Sequence, residues 1–206
     1  MTTSAEQYRA YRGPALFAMG FRPFFLFAAV WASLSIPIWI AAFTGLLPAA
    51  QLSRDWHVHE MLFGYLGGVI AGFLLTAVPN WTGRLPVAGA PLAALFALWA
   101  AGRFAMLFKT ELGPLASITD SAFLFVLAAI VAREVLAGKN TRNLPVSLLI
   151  SVLGVANVLT HFGSANPEIG LLGERVGLGV VAMLVTLIGG RIVPSFTRNW
   201  MAKRHR

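Results

Sequence analysis

Trp56-His57-Val58-His59-Glu60-Met61-Leu62-Phe63-Gly64 opens a hydrophobic run, residues 58–79, that is long enough to cross a membrane. Five consecutive positions, 57–61, hold two imidazoles, a carboxylate and a thioether. Ionisable groups at the mouth of a membrane helix are costly to desolvate, so they mark a site more often than a surface. Imidazole is also the commonest metal ligand. The stretch therefore points to a metal or cofactor site in a membrane protein.

The rest of the chain agrees with a membrane setting. Of 206 residues, 57% are hydrophobic and 12% charged, and the mean hydropathy is +0.73. Soluble domains carry roughly a quarter charged residues. There is no cysteine, which excludes disulfides, thiolate metal sites, iron–sulfur clusters and covalent c-type haem. Any metal must be held by His, Met, Asp or Glu. Residues 1–13 are polar and the first apolar run is too long for a signal peptide, so it is expected to stay as a membrane span.

A span needs about 20 apolar residues. Six segments qualify: 24–46, 58–79, 87–108, 115–136, 144–163 and 173–194. Pro, Gly, Asn or charged residues separate them, and the connections are short. The expectation is an all-α, polytopic bundle of six transmembrane helices forming one integral membrane domain. With the N-terminus in the cytoplasm, twelve of the sixteen Lys and Arg residues flank the inner ends, and only Arg54, Arg103, Lys109 and Arg175 lie outside. Both termini are then cytoplasmic. The net charge of +8, including the tail Lys203 to Arg206, reads as topology signal and lipid contact, with no nucleic-acid partner.

At about 1.5 Å per residue the polar groups can be placed by depth. His57, His59 and Glu60 start helix 2 on the outer side, Arg103 lies near the outer end of helix 3, and Asp120 lies near the outer end of helix 4. Asn157 and His161 approach the outer end of helix 5, and Glu174 and Arg175 begin helix 6. Their shared depth lets them meet in one outward-facing pocket. Asn157 and His161 are spaced i, i+4 and face the same way, as do His57 and Met61. A His-x-His pair on a regular helix diverges by roughly 200°. His57 and His59 can share a metal only if the helix is unwound there.

Glu60, Gly64, Gly68 and Gly72 form a row on helix 2 that invites a close neighbour, most simply a packed helix. Other patterns fail on inspection. His59-Glu60 lacks the second histidine of a zinc-protease motif, since Phe63 stands there, and Gly177-x-Gly179-x-x-Ala182 lies inside a span and follows no strand. One internal echo stands out: Val78-Pro79-Asn80-Trp81-Thr82 and Val193-Pro194-Ser195-Phe196-Thr197 are 115 residues apart and each leads to an Arg. It suggests a four-helix repeat, with Pro ending each helix.

Gly20-Phe21-Arg22-Pro23-Phe24-Phe25, the Trp56-to-Gly64 stretch, Gly72-Phe73-Leu74-Leu75-Thr76-Ala77-Val78-Pro79-Asn80-Trp81-Thr82-Gly83, and Gly189-Gly190-Arg191-Ile192-x-Pro194-x-Phe196-Thr197-Arg198-Asn199 together resemble the NnrS family. The resemblance implies a multi-pass protein of the bacterial inner membrane that contains haem b and copper and serves the response to nitric oxide and nitrosative stress. His57 and His59 match the family's histidine-rich signature, while Glu60, Asn80 and Arg191 match motif positions. Members of the family are about twice as long, so the chain resembles their N-terminal half: a truncated reading frame, a genuine half-length member, or a half that pairs with a second copy or a second half-chain.

On this reading His57, His59 and Met61 are candidate metal ligands, and His57, His59, His161 and Arg103 candidate cofactor contacts, Arg103 pairing with Asp120 or a haem propionate. Glu60, Asp120, Asn157 and Glu174 support them from behind, Glu60 by orienting an imidazole. A transporter or channel using the same polar cluster, or an assembly subunit without chemistry of its own, remains an alternative. The sequence does not decide whether the protein is an enzyme.

Overall fold

The computed structural model describes residues 6, 9–48 and 51–204, so the last two residues of the basic tail lie outside it. Six helices are long and apolar enough to span a membrane: α1 Phe21–Phe43, α2 Arg54–Thr82, α3 Ala90–Leu107, α5 Pro114–Ala137, α6 Leu144–His161 and α7 Pro167–Arg204. A short helix, α4 Lys109–Leu112, joins α3 to α5. No strand occurs among the described residues.

The boundaries follow local chemistry. Ser53 caps α2 by accepting the Trp56 N–H, and Asp55 sits in its first turn, where a carboxylate favours the helix dipole. Gly83, in the left-handed conformation, ends it. The echoed prolines do not end helices. Pro79 lies inside α2, which runs on to Thr82, and Pro194 lies inside α7, which runs on to Arg204. Pro79 lies in the last turn of α2 and costs a single backbone bond there, whereas α7 continues for ten residues past Pro194.

Within α2 the helix widens. Residues Glu60–Tyr65 form one π-helical segment. Such segments recur at functional sites. This one buries Glu60, Leu62, Phe63 and Gly64 and turns them toward several neighbours at once.

Helix α2 is central. It packs on α1 and α5, and its π-segment also meets α3 and α7. In α2's most apolar window 56% is buried, against 17% for α1 and for α7. Phe24, Leu74, Leu92, Leu127 and Ile150 join α1, α2, α3, α5 and α6 into one core. Phe24 meets Trp99 and Phe96 edge-on, with ring centroids 6.2 and 5.9 Å away, a favoured aromatic geometry. The 115-residue echo does not extend to environment. Phe63 and Val78 of α2 are 1% and 3% exposed, whereas Leu178 and Val193 at the same offset on α7 are 58% and 64% exposed.

Replacing Phe24 with Ala should remove the aromatic cluster's hub and destabilise the detergent-solubilised protein by about 3–5 kcal/mol. Leu178→Ala, on the outward face of α7, should leave the thermal midpoint nearly unchanged. Equal losses for the two in a thermal melt would contradict this placement of the core.

Candidate functional site

At one end of the bundle four helices bring charged and polar groups inward. Helix α2 supplies His59 and Glu60, α3 supplies Arg103, α5 supplies Asp120, and α6 supplies Asn157 and His161. Glu60, Asp120 and Asn157 are at most 1% exposed, and Arg103 and His59 are nearly as buried. Burial of this degree is costly for charge unless every group finds a partner.

Partners are plentiful. The Arg103 guanidinium donates from Nη1 to Glu60 Oε2 at 2.6 Å and from Nη2 to Asp120 Oδ1. Glu60 Oε2 also accepts the indole N–H of Trp31 at 2.7 Å, and Glu60 Oε1 lies 3.3 Å from His59 Nδ1. His59 Nε2 lies 2.8 Å from Asn157 Oδ1 and 3.1 Å from Asp120 Oδ2. Asn157 donates from Nδ2 to Asp120 Oδ2 at 2.9 Å, and His161 Nε2 lies 3.0 Å from the same oxygen.

His59, Asp120 and His161 therefore present two imidazole nitrogens and one carboxylate oxygen within 4.8 Å of one another. Ligand atoms at about 2.0–2.1 Å from a four-coordinate ion lie roughly 3.3 Å apart. The separations of Asp120 Oδ2 from the two imidazole nitrogens are close to that value. Two imidazoles and a carboxylate suit a divalent transition metal.

Two of the three, His59 and His161, line a cleft of about 620 Å³, whose walls also include Trp56, Met106, Lys109, Thr160 and Glu174. That volume falls in the range of small-ligand sites. Lys109, on α4, reaches within 3.4 Å of His161 Nδ1. Burial lowers its ammonium below the ordinary lysine range, and the Asp120 charge opposes that shift.

The expected ligands divide. His59, His161, Arg103, Glu60, Asp120 and Asn157 meet, whereas His57 and Met61 do not join them. His57 stacks on Trp39, with ring centroids 4.1 Å apart and planes at 12°, and its buried Nδ1 has no partner among the described residues. The reason is helical phase. Residues Arg54–His59 are regular α-helix and the π-segment starts only at Glu60, so the two histidines diverge. Met61 is half-buried and absent from the cleft wall, where the methionine is Met106.

Arg103 is engaged by two carboxylates rather than held ready for a propionate. Glu174 does not begin its helix, which starts at Pro167. It pairs with Arg54 through two bonds of 3.1 and 3.0 Å at the cleft wall. Sequence reasoning missed Trp31, Lys109 and Met106. Lys109 carried the only usable signal, a lone cation between two apolar segments.

A family model described as NnrS protein matches residues 15–206. The chain belongs to the NnrS family. No curated protein and no solved structure matches it. In this NnrS-family chain two of the four motif segments lie on α2, and the segment at residues 20–25 packs on it, with Phe24 and Phe25 against Gly72. The family stretch around His59 supplies Glu60 and Gly64, and the row of small residues has two uses. Gly68 and Gly72 admit Trp99 and Phe25, plain helix packing. Gly64 lies under the Arg103 guanidinium, where a Cβ would fall 2.2 Å from Nη1 and 2.7 Å from Glu60 Oε2.

Gly64→Val should displace Arg103 and lower stability by about 1–3 kcal/mol or more, the usual scale of overpacking. Gly179→Val, at the 115-residue offset, faces open space and should be silent. A thermal melt in which Gly64→Val matches wild type would show that the guanidinium does not lie there.

Proposed function

We propose that this chain is a metal-binding inner-membrane protein of the nitric oxide response, with copper held by His59, Asp120 and His161 near the outer leaflet. Membership of the NnrS family supports a membrane protein of the nitric oxide response. The observation that carries the metal site is the convergence of three donor atoms, two of them from histidines that line a cleft. The excess of Lys and Arg at the opposite helix ends supports the outward placement.

The residues fit a single ion. A nitrogen-and-oxygen donor set with a carboxylate favours the divalent form of copper over the soft monovalent form. Copper bound there would supply a redox-active centre beside the cleft that His59 and His161 line. The protein's part is to hold the donors. Glu60 faces the far nitrogen of His59 and sets its orientation, as acceptors behind metal-bound histidines do. Asn157 donates from Nδ2 to Asp120 Oδ2 and keeps that carboxylate turned toward the imidazoles, while its Oδ1 contact with His59 Nε2 would give way when that nitrogen binds the ion. Lys109 and Met106 line the cleft beside His59 and His161.

The residues do not fit a haem between the two histidines. Axial imidazoles must face each other across a macrocycle, and here the Asp120 oxygen and the Asn157 amide fill that space. The proposal assigns copper, not haem, to the triad. Transport is less well supported, because inward of Asp120 helix α5 buries mostly apolar residues, Phe123, Leu124, Leu127, Ala128 and Val131.

Titration of the purified protein with Cu2+ should give one tight site. His59→Ala, His161→Ala and Asp120→Ala should each abolish it, whereas His57→Ala should retain it. Retention by the first three, or loss only in His57→Ala, would overturn the assignment. The chain has no native cysteine, so a single cysteine at Gly113 should react with an impermeant maleimide from the outer side of intact cells. One placed at Gly138 should not. The reverse pattern would place the site at the inner leaflet.

A further inference from the structure

The two oxygens of Asp120 face different partners. Oδ2 looks toward His59, His161 and Asn157, at 3.1, 3.0 and 2.9 Å. Oδ1 is taken by Arg103 Nη2. The same guanidinium grips Glu60 through Nη1, and Glu60 in turn faces His59 Nδ1. One side chain thus stands behind two of the three donors without being a donor itself. Both of its bonded nitrogens go to carboxylates, and its Nε has no partner among the described residues.

We propose that Arg103 is the positioning residue of the metal centre: it decides which oxygen of Asp120 faces the two imidazoles, and through Glu60 it sets the angle of the His59 ring. The inference rests on the reading of His59, Asp120 and His161 as ligands. Three features make the role specific to arginine at this place. The planar fork spans two carboxylates on different helices, which a single ammonium cannot do with the same geometry. Space for the fork exists only because position 64 is glycine. Glu60 is pinned independently by Trp31, so the fork has a rigid anchor on the side away from the metal.

A carboxylate freed of Arg103 can rotate and offer a cation either oxygen or both. The donor geometry then changes even when all three ligands remain. Arg103 also neutralises one of the two carboxylates. That keeps the empty cluster from holding two like charges side by side in a low dielectric.

The test uses the full chain in detergent, titrated with Cu2+ against a competing chelator, with electron paramagnetic resonance at full occupancy. Arg103→Lys keeps the charge and loses the fork. Glu60→Gln keeps the shape and weakens the anchor. Both should bind Cu2+ about 10–100-fold more weakly, the usual cost of losing support behind a ligand. Both should also shift the copper hyperfine splitting. A merely structural role would lower the melting temperature of the metal-free protein and leave the spectrum of the loaded site unchanged. Wild-type affinity and spectrum in both variants would overturn the positioning role while leaving the metal site standing. Absence of Cu2+ binding by the wild type would remove the metal site itself, and this inference with it. Should Arg103→Lys fail to fold, Gly64→Ala, which displaces the fork and leaves the three ligands and Glu60 unchanged in sequence, decides by the same two readouts.

Discussion

Two buried carboxylates share one guanidinium inside an apolar bundle, and the rest of the site follows from that constraint. Taking each ion out of water costs several kcal/mol, and removing one partner of a buried pair typically costs about 3–5 kcal/mol. Glu60, Arg103 and Asp120 offset that cost only by meeting at hydrogen-bond distance from three different helices. Helices α2, α3 and α5 are therefore held at fixed rotation and depth. Asn157 and His161 of α6 then complete the coordination of Asp120.

The π-segment and Gly64 are the backbone's contribution. A regular helix presents one narrow inward stripe. The widened segment lets α2 bury Glu60, Phe63 and Gly64 together, so that one short stretch addresses α1, α3 and α7. Gly64 then leaves room for the guanidinium, and Trp99 bonds the Gly64 carbonyl from α3 at 3.0 Å. Packing and chemistry here are one arrangement: the side chain that fills the glycine's space also supports the donors.

Much of this was legible in the sequence. The six spans stand within a few residues of their expected positions, except that α7 starts at Pro167, directly after the expected Asn166-Pro167 break, and runs past Pro194 to Arg204. Depth alone predicted the meeting of His59, Arg103, Asp120, Asn157 and His161, and the i, i+4 spacing of the last two lets both reach one carboxylate. What failed did so through helical phase. Position 57 stays on regular helix and turns to Trp39, while position 59 turns inward, and no composition or spacing rule locates a π-segment that begins at the next residue, Glu60. The use of Trp31 and Trp99 as donors was equally hidden, since in an apolar run a tryptophan reads as bulk or as an interface anchor.

The central claim is that two histidines and one aspartate from three helices bind a single copper ion. Pulsed electron paramagnetic resonance of the Cu2+-loaded protein tests it most directly, because modulation from the remote imidazole nitrogens counts the coordinated histidines. The account predicts two, falling to one in His161→Ala, with no change in His57→Ala. A single coordinated imidazole in the wild type, or loss of the signal in His57→Ala, would contradict it.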